Sequence, residues 1–219
     1  MSDEIIAAQR AYYDERAPDY LVKTKPSDRA VRGWFPSALG IELTDAFAPT
    51  GDVLELACGT GTSTRGLVRY ARTLTCVDGS PRMIERNRAE VGDPSITYVV
   101  ADLFEWEPDR TYDVVFFAFW LSHVPDDRFD DFWALVRRCL GPGGRVGFID
   151  EDDRAAEPTR NVDGVAVAQR TLADGRTFDI VKVLWRPDEL EARLRDLGWD
   201  VTVRPVGETF LFGSGSLAD

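Results

Sequence analysis

The stretch Val53-Leu54-Glu55-Leu56-Ala57-Cys58-Gly59-Thr60-Gly61 constrains this chain more than any other. A short apolar run closes on small residues, and Thr62-Ser63-Thr64 then leads into an apolar-periodic segment. That order reads as strand, tight turn and helix start. Glycine has no Cβ, so a ligand can lie against the main chain at Gly59 and Gly61 while the unpaired amides of the following helix face it. The plain alternative is a strand-to-helix turn that holds nothing, and Gly-x-Gly alone does not separate the two.

A dinucleotide fingerprint opening at Gly59 requires a third glycine at position 64, where Thr64 stands. Asp78 ends the next apolar run, Leu74-Thr75-Cys76-Val77, and is placed to bind vicinal ribose hydroxyls of either a nicotinamide or an adenosyl ligand. Three further features separate those ligands: Glu55 within the first strand, Asp102-Leu103 after a third strand, and Leu140-Gly141-Pro142-Gly143-Gly144 before a fifth. As an ordered set, these resemble the class I S-adenosylmethionine (SAM)-dependent methyltransferases, in their small-molecule branch, from about Tyr12 to the end of the chain. The resemblance implies a Rossmann-like, doubly wound α/β fold. Its sheet would have seven mostly parallel strands with the last antiparallel, behind an N-terminal helical cap.

The resemblance also implies residue roles. Ala57, Gly59, Thr60 and Gly61 approach the amino-acid part of SAM, and Glu55 supports their loop. Asp78 and Gly79 hold the ribose, Met83 packs near adenine, Asp102 meets the adenine amino group, and Leu103 supplies a backbone amide. Phe119 closes the site at the end of the fourth strand. Tyr12-Tyr13-Asp14-x-Arg16-Ala17-x-x-Tyr20 resembles the segment that family members fold over the methionine end of the cofactor, with Tyr13 and Tyr20 on SAM and Tyr12 toward the acceptor. Aromatics that merely pack a helix onto the domain are the alternative.

With 219 residues, one well-buried α/β domain is expected, residues 1–50 forming the cap and 51–219 the SAM-binding core. A net charge of −12 without a long Lys/Arg cluster argues against nucleic acid and anionic membrane as partners. A small-molecule substrate and a monomer or homodimer are expected. No apolar run reaches membrane-spanning length, and Met1-Ser2-Asp3-Glu4 is acidic where a secretory signal is basic, so a cytoplasmic protein is expected. Cys58, Cys76 and Cys139 lack metal-ligand spacing and read as reduced, buried thiols, so no metal is expected.

From residue 53, strands alternate with amphipathic helices, which argues for a parallel sheet covered on both faces. Leu67, Val68 and Ala71 suggest the buried face of a first core helix, and Ser80-Pro81 opens a second that carries Met83, Ile84 and Val91. Tyr112 to Phe119 is nearly continuously apolar, as a central strand is. Phe129, Phe132, Trp133, Val136 and Leu140 make a helical stripe stopped at Gly141, and Arg145 to Ile149 is a fifth strand. Residues 165–184, with Asp174-Gly175 at their centre, read as a β-hairpin inserted within 160–185. A second leading helix runs from Trp34 to Phe47.

A methyl sulfonium is strongly electrophilic, so its transfer requires chiefly alignment of a nucleophile and, for hydroxyl or acid acceptors, removal of a proton. His123, the sole histidine, follows the fourth strand and is the candidate general base. Asp150 and Glu151 are its rivals. Trp34, Tyr12 and Trp120 are candidate acceptor contacts, with Arg154 and Arg160 as anchors for an acceptor carboxylate. A structural histidine and a solvated charge run are the alternatives. Methyl transfer to a small molecule, oxygen favoured over nitrogen, sulfur or carbon, is the leading function. A SAM-binding protein of the same fold that transfers no methyl, and a nicotinamide oxidoreductase, are the rivals.

Overall fold

The computed structural model describes residues 2–20, 38–155 and 157–218. The chain opens with α1, Ser2–Arg16, which turns at Ala17–Asp19, where Pro18 denies the helix a continuing N–H. Helix α2 follows at Ala38–Phe47. Trp34, expected on that helix and in the site, lies outside the described residues.

The core then alternates: β1 Gly51–Leu56, α3 Thr64–Leu67, β2 Ala71–Asp78, α4 Pro81–Val91, β3 Thr97–Val100, β4 Tyr112–Ala118, α5 Phe129–Cys139 and β5 Leu140–Glu151. The three short strands β6 Arg160–Val162, β7 Val165–Thr171 and β8 Thr177–Val181 come next. Helix α6 Pro187–Asp196 and strands β9 Trp199–Val206 and β10 Phe210–Leu217 complete the order. The main sheet has seven strands in the order β3-β2-β1-β4-β5-β10-β9. The first five are mutually parallel, and β10 runs antiparallel to both β5 and β9. The seven-stranded, Rossmann-like α/β sheet expected from the motif order is present.

β1 lies between β2 and β4, so the chain builds outward in both directions from it. In an open α/β sheet, that reversal leaves a crevice beyond the carboxyl ends of the strands. β4 is buried from Val114 to Phe117, as its apolar run requires. On one face Phe117 stacks on Phe148 at 5.2 Å and meets Trp133 of α5 edge-on. On the other, Val53 and Phe116 pack with Phe47 of α2. α4 begins as its sequence indicates: the Met83 amide donates to Ser80 Oγ at 3.0 Å, Pro81 takes the first turn, and Gly92 closes the helix at φ +71°.

Three readings need correction. The first core helix is only Thr64–Leu67, because Val68 to Tyr70 turn away and β2 already begins at Ala71, where it pairs with Gly51. β5 is longer than Arg145–Ile149, since the chain enters it directly from Cys139. The inserted hairpin gains a third strand, β6, and forms its own antiparallel sheet in the order β6-β7-β8. α1 packs on β8, so the cap and the insertion support each other over the crevice.

Candidate active site

One pocket opens at the carboxyl ends of β1, β2 and β4 and is roofed by α1. β1 brings Glu55 and, just beyond it, Ala57, Cys58, Gly59 and Thr60. β2 brings Asp78 and Gly79, and the segment after β3 brings Asp102, Leu103 and Phe104. Phe119, Trp120 and His123 follow β4, while Ile6, Gln9, Arg10, Tyr13 and Tyr20 come from the cap. Ala57 at φ +51° and Phe119 at φ +55° both turn left-handed where their strands end. That conformation is unfavourable for residues with a Cβ, and the surrounding fold holds both at the pocket rim.

Asp78 organises the glycine turn. Its Oδ2 accepts from the Gly59 amide at 2.9 Å and its Oδ1 from the Ser80 amide at 2.8 Å. Burial pushes its carboxyl up, against the pull of those two amides. Asn87 braces the turn from behind, donating to the carbonyls of Cys58 and Gly59 and to Thr64 Oγ1. Glu55 accepts from Thr64 Oγ1 at 2.6 Å, and burial pushes its carboxyl up to about 8. Asp102 pairs with Arg10 across the crevice and accepts the Phe104 amide at 3.0 Å.

At the other end, His123 has both ring nitrogens engaged. Nδ1 lies 2.8 Å from the Val181 carbonyl, which fixes it as the protonated nitrogen and leaves Nε2 to accept from the Tyr13 hydroxyl at 2.9 Å. Burial, reinforced by the charge of Lys182, depresses the imidazole to about 3. Burial likewise pushes the Tyr13 phenol well above its usual value. Gln9 completes the clasp by donating to the His123 carbonyl at 3.1 Å and accepting from the Val181 amide at 3.0 Å. His123 is therefore neutral at working pH, and an ionisation near neutrality does not belong to it.

A depressed imidazole contributes stability that is fully present above about pH 6.5 and is lost as pH falls toward 3. Glu55, Asp78 and Asp150, all pushed up by burial, act with the opposite sign. The difference between the parent and His123→Asn therefore isolates the histidine. Between pH 6.5 and 4 the parent should lose about 3 kcal/mol relative to that variant, read from denaturant melts across the range. Parallel pH curves would mean that His123 is not held neutral.

Several expected residues sit elsewhere. Tyr12 is buried against Ala168, Ile180 and Phe178 in the seam between cap and small sheet, not on the pocket wall. A Cβ at Gly61, φ +91°, would lie 2.8 Å from Asn87 Oδ1 and 2.9 Å from Val91, so that glycine admits α4 and not a ligand. Arg154 is bound to Asp152 and to the carbonyls of Gly207 and Phe210, away from the pocket. Arg160 pairs with Asp179. Asp150 is buried and accepts the Ser122 amide at 2.9 Å, off the pocket lining. Arg10 and Gln9 belong to no motif and reach the site only because α1 folds back over it. A cluster formed by the buried Lys182 and the half-buried Arg170, Glu151 and Glu157 lies beside His123 and has no local signature either.

The pocket suits a ligand with both polar and flat parts. A Cβ direction at Gly59 meets nothing within 4 Å, while Thr60 Oγ1 and Trp120 Nε1 are buried on its wall without a hydrogen-bond partner among the described residues. Buried polar atoms of this kind call for a partner. The residues present thus fit SAM. Among the described residues, no group of three His, Cys, Asp or Glu side chains is placed to hold a metal ion. Nor is any helix among them long and apolar enough to cross a membrane.

Comparison with known proteins agrees with this geometry. Residues 53–144 match the family model described as "Methyltransferase domain". The chain is similar over its full length to the protein in the DhpI–SAH complex, at 40% identity and a TM-score of 0.85, covering 99% of that chain. The DhpI–SAM–HEP complex gives 41% identity and 0.82, covering 96% of each chain. Among curated relatives, the chain is 34% identical over 97 residues to demethylmenaquinone methyltransferase of Tropheryma whipplei (strain Twist), 43% of this chain and 39% of that one. It is also 34% identical over 109 residues to trans-aconitate 2-methyltransferase of Escherichia coli O1:K1 / APEC, 49% of this chain and 41% of that one. The chain thus spans about two fifths of the length of these curated relatives. It belongs to the class I SAM-dependent methyltransferases.

Proposed function

We propose that this chain transfers the methyl group of SAM to an oxygen of a small-molecule acceptor. The observation that carries the reading is one continuous pocket. Its lining includes the Gly59–Asp78 turn, the Tyr13–His123 pair and Trp120. Asp78 would take the ribose hydroxyls and Gly79 the adjoining backbone, with Met83, Leu103 and Asp102 around the adenine. Ala57, Gly59 and Thr60 would face the amino-acid end, on the loop that Glu55 supports. Tyr13, Tyr20 and Phe119 would close the cofactor in. SAM supplies, when bound, a methyl group on a positively charged sulfur.

Trp120 and His123 would border the acceptor. His123 acts there as a positioning residue, because its Nε2 is committed to Tyr13 and its basicity is low. Oxygen is favoured as the acceptor atom because trans-aconitate, for which a relative is named, offers only oxygen nucleophiles to a methyl donor. The complex of DhpI with SAM and HEP together, and the naming of a relative for trans-aconitate, support a small acceptor beside SAM.

The test is calorimetric titration with SAM and with NAD, followed by detection of S-adenosylhomocysteine when acceptors are supplied. SAM should bind and NAD should not; the reverse would end the methyl-transfer reading. Asp78→Ala should weaken SAM binding by about 1–3 kcal/mol, since ribose hydroxyls would lose a charged acceptor. Undiminished affinity in the folded variant would remove Asp78 from the cofactor site.

A further inference from the structure

Behind His123 the small sheet carries two cations that the proposed cofactor site leaves unused. Lys182 immediately follows β8 and is held by its amide on the Ala166 carbonyl at 2.8 Å. Only 3% of its side chain is exposed, and its Nζ lies 3.3 Å from Ser122 Oγ. Arg170 stands on the neighbouring strand β7. Two carboxylates answer them: Glu151, at the end of β5, pairs with Lys182, and Glu157 pairs with Arg170 while lying 3.7 Å from Lys182 Nζ.

The two carboxylates differ in how they are held. Glu151 belongs to a strand paired on both sides, and its amide donates to Asp150 Oδ1. Glu157 sits in residues 157–159, which belong to neither helix nor strand. Its carboxylate can therefore leave without disturbing the sheet. With Glu157 in place the four charges cancel. With it withdrawn, Lys182, Arg170 and Glu151 carry one net positive charge among them, least screened at the buried Lys182 and partly screened at the half-buried Arg170. Asp150, the other acid near Lys182, is buried, and burial pushes its carboxyl up toward the uncharged form against the pull of Lys182 and the Ser122 amide.

We propose that Lys182 and Arg170 form the seat for an anionic oxyacid acceptor, and that the Glu157 carboxylate fills this seat until the acceptor displaces it. The proposal rests on the methyl-transfer reading and names its substrate class. An ionised oxyacid needs no base, which agrees with a His123 whose two nitrogens are already bonded. In the step, a lone pair on the acid oxygen forms the bond to the methyl carbon. The carbon–sulfur bond breaks, and sulfur keeps its electron pair. No proton moves; the negative charge of the acid and the positive charge of the sulfonium cancel. The neutral methyl ester then loses its hold on the two cations, and Glu157 returns as product leaves.

The test uses the full chain saturated with S-adenosylhomocysteine and titrated calorimetrically with inorganic phosphate, at ionic strength held constant with chloride. Phosphate should bind the parent weakly and bind Glu157→Gln about tenfold more tightly, because its competitor has lost its charge. Adding Arg170→Gln to that variant should return the affinity to the parent level or below. Equal phosphate affinity in all three proteins, or no phosphate binding to Glu157→Gln, overturns the proposal. S-adenosylhomocysteine affinity, measured in the same proteins, reports folding of each variant and tests the cofactor site on its own. Its absence in the parent would sink the methyl-transfer reading, whereas its presence with an indifferent Glu157→Gln sinks only the anion seat.

Discussion

Gly59→Val should abolish SAM binding while leaving the melting transition cooperative and close to that of the parent. A Cβ at Gly59 meets no protein atom within 4 Å, and Gly59 lines the pocket, so valine methyls there should take up ligand space and not core. Gly59 also has φ +50°, and a β-branched residue there costs roughly 1–2 kcal/mol. Relaxing that strain rotates the amide away from Asp78 and removes a bond of 2.9 Å that shapes the turn. Steric exclusion and turn distortion act together, so a loss of about 4 kcal/mol, roughly a thousandfold in Kd, is expected by calorimetry. Gly61→Val is the contrasting control. Its methyls would collide with Asn87 and Val91, so it should lower the melting temperature sharply. Normal SAM affinity in a folded Gly59→Val protein would overturn the placement of the cofactor at this turn.

These two glycines also mark how far a sequence can be read. The strand, the turn and Asp78 were legible because they are linked locally: an apolar run, residues free of Cβ, and an acid at the end of the next strand. The reason for Gly61 was not legible, since it depends on which side chains of α4 arrive behind the turn. Tyr12 and Tyr13 make the same point within one helix. Adjacent residues are turned about 100° from one another, so one tyrosine faces the small sheet and the other the pocket. Nothing in the local sequence says which. Arg154 read as a free anchor, yet Asp152 two residues away and two carbonyls of the β9–β10 region hold it. Lys182 and Arg170 were invisible for another reason. They become neighbours of Glu151 and Glu157 only after three short strands pair and the resulting sheet docks beside β5. A hairpin read from Asp174-Gly175 supplies one of those pairings and not the docking.

Deletion of residues 1–20 should weaken SAM binding by about 10²-fold, near 2.7 kcal/mol, while the seven-stranded sheet still folds. α1 makes no strand of that sheet; it packs on β8 and touches the start of α4, where Asp14 accepts from Ser80 Oγ at 2.7 Å. It does supply Ile6, Gln9, Arg10 and Tyr13 to the pocket. Without it, the Val181 amide and the His123 carbonyl lose Gln9, His123 Nε2 loses Tyr13, and Asp102 loses Arg10. Each buried group left without a partner costs about 1–3 kcal/mol unless water reaches it. Water will reach it, because the roof is gone, and methyl transfer should then suffer more than binding. Hydrogen exchange separates this outcome from general unfolding. Amides of β1, β4 and β5 should keep their protection while those of β8 lose it. Tyr13→Phe refines the assignment by keeping the ring contacts with Tyr12 and Tyr20 and removing only the bond to His123, so its effect should be much the smaller. If the deletion strips protection from β1, β4 and β5 as well, the helix is part of the core; if it leaves SAM affinity intact, the helix is no roof.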